Sequence, residues 1–161
     1  MKIDSFHGEY RFLSNFWPSE LIVREEGWIP FIAKSVEHAY QALKTVDPEE
    51  RLKVLYCDTA ACAKRLGKRV TLRDEWKSEE FRIKIMRELV RQKFTRHPAL
   101  ALKLLQTGNV ELVEGNTWGD TFWGVCKGVG TNWLGKILMD VRLGLVQEEN
   151  ERYVDGPSTG E

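Results

Sequence analysis

The 161-residue chain lacks several features that define specialised classes of protein. Its three cysteines, Cys57, Cys62 and Cys126, are an odd number without tight spacing, which argues against a disulfide framework and favours a reducing compartment such as the cytoplasm. The three histidines are scattered and do not combine with the cysteines at zinc-ligand spacing, so we expect no metal and no cofactor. No stretch reaches the ~18–20 apolar residues of a membrane span. The first residues lack the apolar run of a signal peptide, so we expect no leader and no membrane partner.

The chain also lacks a net charge, because 24 Lys and Arg side chains balance 24 Asp and Glu side chains. No overall field would therefore draw it to nucleic acid or to a membrane surface. The charge is nevertheless uneven, since residues 64–103 contain thirteen basic and five acidic residues. This basic stretch could receive phosphate groups, although a solvated helical face is the simpler interpretation.

What the chain does contain is an ordinary globular composition, 42% hydrophobic and 30% charged, at a length that suits one domain with a real core. Short apolar runs at 21–23 and 28–31, with Glu25-Glu26-Gly27 between them, predict a β-hairpin. A first helix should begin at Ser35, a good N-cap, and end near Asp47-Pro48. Further helices are expected at 48–56, 59–66, 79–95, 98–105 and 132–146, with a short strand at 110–113 and a glycine-rich loop at 115–130. The predicted fold is α+β, a predominantly helical single domain over 1–147 with a small hairpin or sheet, followed by a flexible polar tail at 148–161.

The first predicted helix carries a candidate site. Helical spacing places Val36, Ala39, Tyr40 and Leu43 on one face, which should be core, while Glu37, Gln41 and Lys44 fall on a neighbouring stripe. Seven residues at ~1.5 Å rise separate the ends of this stripe by about 10 Å, the scale of a ribose with its phosphate. The alternative is a solvated face on an amphipathic helix, which is the usual place for charged residues.

Two parts of the glycine-rich loop are further candidates. Trp118-Gly119-Asp120 combines an aromatic ring that could stack on a base with a carboxylate that could act as an acid or base. Gly128-Val129-Gly130-Thr131-Asn132 runs into a helix, whose free N–H groups could bind phosphate, although Thr131 or Asn132 could be a plain N-cap. The near match of residues 130–137 to a P-loop is rejected, because Ile137 stands where Ser or Thr would bind magnesium.

Three segments in order carry a resemblance to a known family: Phe12-Leu13-Ser14-Asn15-Phe16, then residues 35–44 with the pattern Ser-x-Glu-His-x-x-Gln-Ala-x-Lys, then Trp118-Gly119 through residues 132–139. Together they resemble the YbiA-like (NADAR) family over residues 4 to 147. The resemblance implies an N-glycosidase that cleaves a ribose C1–N bond. Some members act on ribosylamino-pyrimidine phosphates, early intermediates of riboflavin biosynthesis, and others are linked to ADP-ribose chemistry, including removal of ADP-ribose from guanine.

The resemblance also implies roles for particular residues. Lys44 could form a Schiff base at C1 while Glu37 moves protons, or Glu37 or Asp120 could be the base in direct hydrolysis. The expected substrate-binding residues are Asn15, Phe16, His38, Gln41, Trp118, Gly119, Gly130 and Asn132. The partner would be a small ribose-phosphate or ADP-ribose substrate, or ADP-ribosylated DNA. Two alternatives stay open: a non-catalytic ADP-ribose or nucleotide-binding module, and a nucleic-acid module that uses the basic stretch at 64–103.

Overall fold

A short antiparallel hairpin leads into the central helix of the fold. In a computed structural model that describes residues 1–154, β2 (Leu21–Val23) pairs with β3 (Phe31–Ala33), with Ile22 opposite Ile32. The predicted hairpin is confirmed, although its second strand begins at Phe31 rather than at Trp28. Gly27 adopts a φ of +77° in the connection, a conformation that glycine reaches without steric cost.

Six α-helices make up about half of residues 1–154. They are α1 (Val36–Ala42), α2 (Pro48–Leu55), α3 (Ala60–Gly67), α4 (Glu79–Arg96), α5 (Pro98–Gln106) and α6 (Trp133–Val154). Two short 3-10 helices lie at Gly8–Leu13 and Asp74–Lys77. The strands outside the hairpin form two parallel pairs, β1 (Lys2–Ile3) with β4 (Glu111–Leu112), and β5 (Gly115–Asn116) with β6 (Val125–Cys126). The predicted α+β class with small sheets is confirmed.

The first helix, α1, lies at the centre of the molecule. Ser35 caps it as predicted, with its hydroxyl oxygen accepting a hydrogen bond from the backbone N–H of His38. The helix ends at Ala42, five residues before the predicted end at Asp47. All seven of its residues are buried, because α2, α3 and α4 pack around it. The interpretation of Glu37, Gln41 and Lys44 as a solvated face is therefore wrong for the first two, and Lys44 is only partly exposed.

An aromatic cluster holds the 115–130 loop against α1. The ring of Tyr40 lies 4.9 Å from that of Trp76 and 5.6 Å from that of Trp123, measured between centroids. Trp123 in turn meets Phe122 edge to face at 4.8 Å. Each such aromatic contact stabilises the fold by about 0.5–1.5 kcal/mol beyond the contribution of the apolar area that it buries. They fix the loop beside the polar stripe of α1.

The last helix is longer than the sequence predicted. α6 continues to Val154, so residues 148–154, expected in the flexible tail, are helical. The segment Gln147–Arg152 is rich in Glu, Gln and Arg, which favour helix even without a buried face, and Glu148 pairs with Arg91 of α4 at 3.2 Å. Residues 155–161, the rest of the predicted tail, lie outside the described residues. No helix among residues 1–154 combines the length and the apolar character that crossing a bilayer requires.

Candidate active site

A cavity of about 670 Å³ opens beside the polar stripe of α1. Most of its wall comes from four parts of the chain that are distant in sequence: residues 6–17, residues 37–44, residues 61–68 and the segment 114–123. Met86 of α4 and Leu134 of α6 complete it. Of the residues predicted for the site, it brings together Asn15, Phe16, Glu37, Gln41, Lys44, Trp118 and Asp120.

Glu37 is the acid of the cavity wall. Its side chain is buried, and one carboxylate oxygen accepts a hydrogen bond of 2.7 Å from the amide of Gln41, one turn along α1. Burial raises the pKa of Glu37 above its ordinary value, although the Gln41 bond and the positive charges of Lys64 and Lys44 oppose the rise. A carboxyl group with a raised pKa holds its proton more tightly than an exposed glutamate and can serve as a proton donor.

Lys44 follows the end of α1 and faces the same cavity. Its backbone is held on both sides, because its N–H donates to the carbonyl of Gln41 and its carbonyl accepts from the N–H of Arg73 at 2.8 Å. Burial lowers the pKa of the Lys44 amine; Glu37 partly opposes this and Lys64 adds to it. A lysine with a lowered pKa has more of the neutral, nucleophilic form at pH 7.

Asp120 lines the cavity with a carboxylate that is partly used in shaping the loop. Its Oδ1 accepts hydrogen bonds from the backbone N–H groups of Phe122 at 3.1 Å and Trp123 at 2.9 Å. The amide of Asn116 donates to the Asp120 carbonyl at 2.7 Å. These hydrogen bonds use Asp120 to hold the loop in shape, so it is a weaker candidate for proton transfer than Glu37.

Two exposed aromatic rings flank the mouth of the cavity. Phe16 and Trp118 are both partly open to solvent, and the Nζ of Lys64 lies 5.7 Å and 5.6 Å from their ring centroids. Asn15 is fixed beneath this mouth, because its carbonyl accepts from the N–H of Glu37 and its amide contacts the sulfur of Met86 at 3.4 Å. The rings are placed to stack on a flat group, with a cation between them.

Sequence reasoning missed several residues that line the cavity. α3 contributes Lys64, Arg65 and Lys68, and the link between β4 and β5 contributes Glu114. The basic stretch at 64–103 contained the signal for the α3 cations, but nothing in the sequence distinguished them from the other basic residues. Glu114 is not in any pattern that the sequence alone reveals.

Four predicted substrate-binding residues do not line the cavity. His38 is 2% exposed and its two ring nitrogens bond to the Ser35 hydroxyl at 2.7 Å and the Cys57 carbonyl at 2.9 Å. Its role is to join α1 to the end of α2. Gly119, with a φ of +85°, allows the turn beside Trp118 but lies outside the cavity wall.

At Gly130 and Asn132, where the sequence predicted a phosphate site, the structure gives the polar groups other partners. The N–H groups at the start of α6 are already used, since residues 131 to 134 donate to the carbonyls of residues 121 to 124. The Asn132 side chain is also occupied, accepting from the Glu114 N–H at 3.0 Å and donating to the Leu112 carbonyl at 3.0 Å. A β-carbon on Gly130 would lie 2.1 Å from the Gly124 carbonyl oxygen, so this glycine permits close packing of the loop.

The fold and the cavity define a small globular domain with a buried acid and a partly buried amine facing one cleft. A family model for the NADAR domain matches residues 4–146, and the chain therefore belongs to the NADAR domain family.

Its relatives and a solved structure agree with this assignment. The chain is 40% identical over 143 residues to the riboflavin biosynthesis protein VVA0006 of Vibrio vulnificus, covering 86% of this chain and 36% of that longer protein. It is 37% identical to the N-glycosidase Npun_R5314 of Nostoc punctiforme, covering 83% of this chain and 84% of the relative. The NMR structure of the E. coli protein YbiA matches the whole chain and 90% of its own with a TM-score of 0.77 and 29% identity. The predicted family and enzyme class, an N-glycosidase, are confirmed.

Proposed function

We propose that this N-glycosidase cleaves the bond between nitrogen and C1 of a phosphorylated ribose, using Lys44 as the nucleophile and Glu37 as the proton carrier. The observation that carries the proposal is the position of these two side chains, Glu37 in the first turn of α1 and Lys44 just beyond its end, in the wall of a single cavity. Buried acids and amines are rare unless they are used or paired. The cytoplasm, suggested by the unpaired cysteines, is the proposed location.

The lysine route begins with a ribosylamine that has opened to its imine. The neutral Lys44 amine adds to C1, its two protons move to the other nitrogen, and that nitrogen leaves with the bonding pair as a free amine. Lys44 is then joined to C1 as a Schiff base, which one water molecule hydrolyses to release the sugar phosphate and restore the lysine. Glu37 carries the protons between these steps. In the alternative, Glu37 or Asp120 deprotonates a water that attacks C1 directly.

The phosphate is proposed to bind at α3 rather than at α6. Lys64, Arg65 and Lys68 line the cavity from one helix, and Arg11 faces them from the 3-10 helix at Gly8–Leu13. Basic side chains that converge on one cleft can form charge-assisted hydrogen bonds with phosphate oxygens. This placement gives the basic stretch of the sequence a local function in substrate binding.

The favoured substrate class is a ribosylamino-pyrimidine 5′-phosphate. The name of the Vibrio relative, a riboflavin biosynthesis protein, supports it, and so does the resemblance stated above. Phe16 and Trp118 would stack on the pyrimidine. ADP-ribosylated guanine, free or in DNA, is the second candidate, because the same exposed rings could accept a purine. Both substrates present a ribose C1–N bond and a phosphate.

The test offers both substrate classes to the purified protein and follows release of the base by chromatography. Release from the ribosylamino-pyrimidine phosphate alone supports the favoured substrate, and release from ADP-ribosylated guanine alone replaces it with the second candidate. If calorimetry shows tight binding of ADP-ribose and neither compound releases its base, the protein is instead a non-catalytic ADP-ribose-binding module. A Lys44→Ala protein is the control for spontaneous hydrolysis, which is fast for ribosylamines.

A further inference from the structure

Glu114 adds a third carboxyl group to the cavity wall, besides those of Glu37 and Asp120, and its backbone is rigidly held. Its N–H donates to the side-chain oxygen of Asn132 at 3.0 Å, and its carbonyl accepts from the N–H of Val125 at 2.8 Å. The start of α6 and strand β6 therefore fix it from two sides. Such a support is what a reacting group needs if it is to stay within tenths of an ångström of its working position.

The buried oxygen of the Glu114 side chain has no hydrogen-bond donor among residues 1–154 that would stabilise its charge. Its Oε2 is fully buried and makes no hydrogen bond to any residue in the described part of the chain, 1–154. In Glu37, by contrast, the amide of Gln41 donates to the carboxylate. A buried carboxyl group without a donor favours the protonated state, whereas a donated hydrogen bond favours the ionised state.

Burial and the neighbouring charges together raise the pKa of Glu114. Burial raises the pKa of Glu114 to about 7, the like charge of Asp120 adds to the rise, and Lys64 on α3 opposes it. Glu37 and Lys44 face the same cavity from α1 with opposite charges. Glu37 and Glu114 are thus two carboxyl groups of one cavity in different surroundings, an arrangement that assigns acid and base roles in other enzymes.

We propose that Glu114, in place of Glu37, is the general acid that protonates the departing nitrogen, a role that rests on the N-glycosidase activity proposed above. Glu37 keeps the transfer of the proton that the Lys44 amine releases on attack. Its carboxyl proton moves to the nitrogen while the C1–N bond breaks and the bonding pair stays on nitrogen. The Lys44 nitrogen supplies the new bond to C1. When water later adds to C1 and the Schiff base is released, the Glu114 carboxylate takes up a proton from that water. One water is consumed and the carboxylic acid is restored.

The test compares Glu114→Gln with the wild type on two leaving groups of different basicity. N-phenylribosylamine 5-phosphate releases aniline, which requires a proton, and the N-(4-nitrophenyl) analogue releases a much weaker base. General acid catalysis contributes about 10²–10⁴-fold. We expect Glu114→Gln to lower kcat about 100-fold or more on the phenyl compound and less than about 10-fold on the nitrophenyl compound. The wild-type alkaline limb of kcat, set by loss of the acid, should be absent in the variant.

Controls separate this proposal from the proposed function itself. Glu111→Gln changes an exposed carboxylate three residues away and should leave both rates unchanged. Glu114→Asp keeps an acid, so its loss of kcat on the phenyl compound should be smaller than that of Glu114→Gln. This variant also distinguishes loss of the acid from a folding defect in the Gln variant. An equal loss on both leaving groups, or a retained alkaline limb, would overturn the role of Glu114. Failure of the proposed function itself would give a different result, namely full activity of the Lys44→Ala protein.

Discussion

Gly67 on α3 lies directly against the side chain of Gln41 on α1, where an added β-carbon would meet Oε1 at 1.9 Å and Cβ at 2.9 Å. The absence of a side chain at residue 67 therefore decides how closely α3 approaches α1. Gln41 in turn donates to Glu37, so the acid of the site depends on a glycine in a neighbouring helix.

Replacing Gly67 with alanine should push Gln41 away from Glu37. The Cβ of Gln41 cannot rotate clear, so we expect α3 to shift, stability to fall by about 1–3 kcal/mol, and kcat to fall about tenfold or more. Urea unfolding and steady-state kinetics measure the two effects. Gly144→Ala in α6 is the matched control, because nothing lies within 4 Å of its β-carbon position and alanine favours helix by about 1 kcal/mol. A Gly67→Ala protein with wild-type kcat would contradict the prediction that the close approach of α3 to Gln41 positions Glu37.

Glu37→Gln should abolish turnover without loss of stability at neutral pH. Burial raises the folded-state pKa of Glu37, so the wild type loses stability as pH rises from the unfolded value, about 4.3, through the folded value. Glutamine keeps the acceptor for Gln41 and does not titrate. The variant should therefore gain stability relative to the wild type between pH 4 and pH 7. Thermal melts at these two pH values check the sign, and wild-type turnover by the variant would remove Glu37 from the mechanism.

Lys44→Ala should eliminate both turnover and covalent trapping. With the ribosylamine substrate and borohydride, the wild type should gain the mass of the reduced sugar phosphate on Lys44, seen by peptide mass spectrometry. Lys84→Ala, an exposed change on α4, is the control and should trap normally. An active wild type with no adduct under these conditions would favour direct hydrolysis with Glu37 or Asp120 as the base.

Lys68→Gln should weaken binding of the phosphorylated substrate. Lys68 lines the cavity from α3, and loss of one exposed cationic contact should raise KM several-fold, about 1 kcal/mol, with little change in kcat. The effect should shrink at high salt, where the charge is screened. Lys77→Gln, which lies outside the cavity, is the control. An equal effect on a dephosphorylated substrate would contradict a phosphate role.

Lys93 should make stability depend on pH above neutrality. It is 1% exposed, its amine donates to the Ser14 carbonyl at 2.9 Å, and burial lowers its pKa to about 7. The unfolded lysine titrates near 10.4, so the unfolded state binds more protons between the two values and the wild type gains stability as pH rises.

Lys93→Met should therefore be more stable than the wild type at pH 6, by an amount on the order of a few kcal/mol that shrinks toward pH 9.5. Urea unfolding at pH 6, 8 and 9.5 measures this difference. Lys84→Met provides the exposed counterpart and should show no such trend. A difference that stays constant with pH would mean that Lys93 is charged in the folded protein.

Much of the local structure followed from the sequence. Ser35 caps α1, Pro48 and Pro98 begin their helices, and the hairpin forms around Gly27, because each depends on residues within a few positions. The end of α1 did not follow, because it depends on the helices packed around it. The length of α6 did not follow either, because residues 147–152 are polar enough to resemble a tail although they favour helix.

The ordered motifs in the sequence determined the family, and helical spacing alone predicted that Glu37 and Lys44 share one edge. Only the tertiary structure decided that this edge is buried against a cavity and that Glu114 and the cations of α3 meet it there. It also decided that the N–H groups of residues 131 to 134 bond to the 121–124 loop. Each of these depends on contacts between residues tens of positions apart, and no local pattern records which buried hydrogen-bond donors are already used.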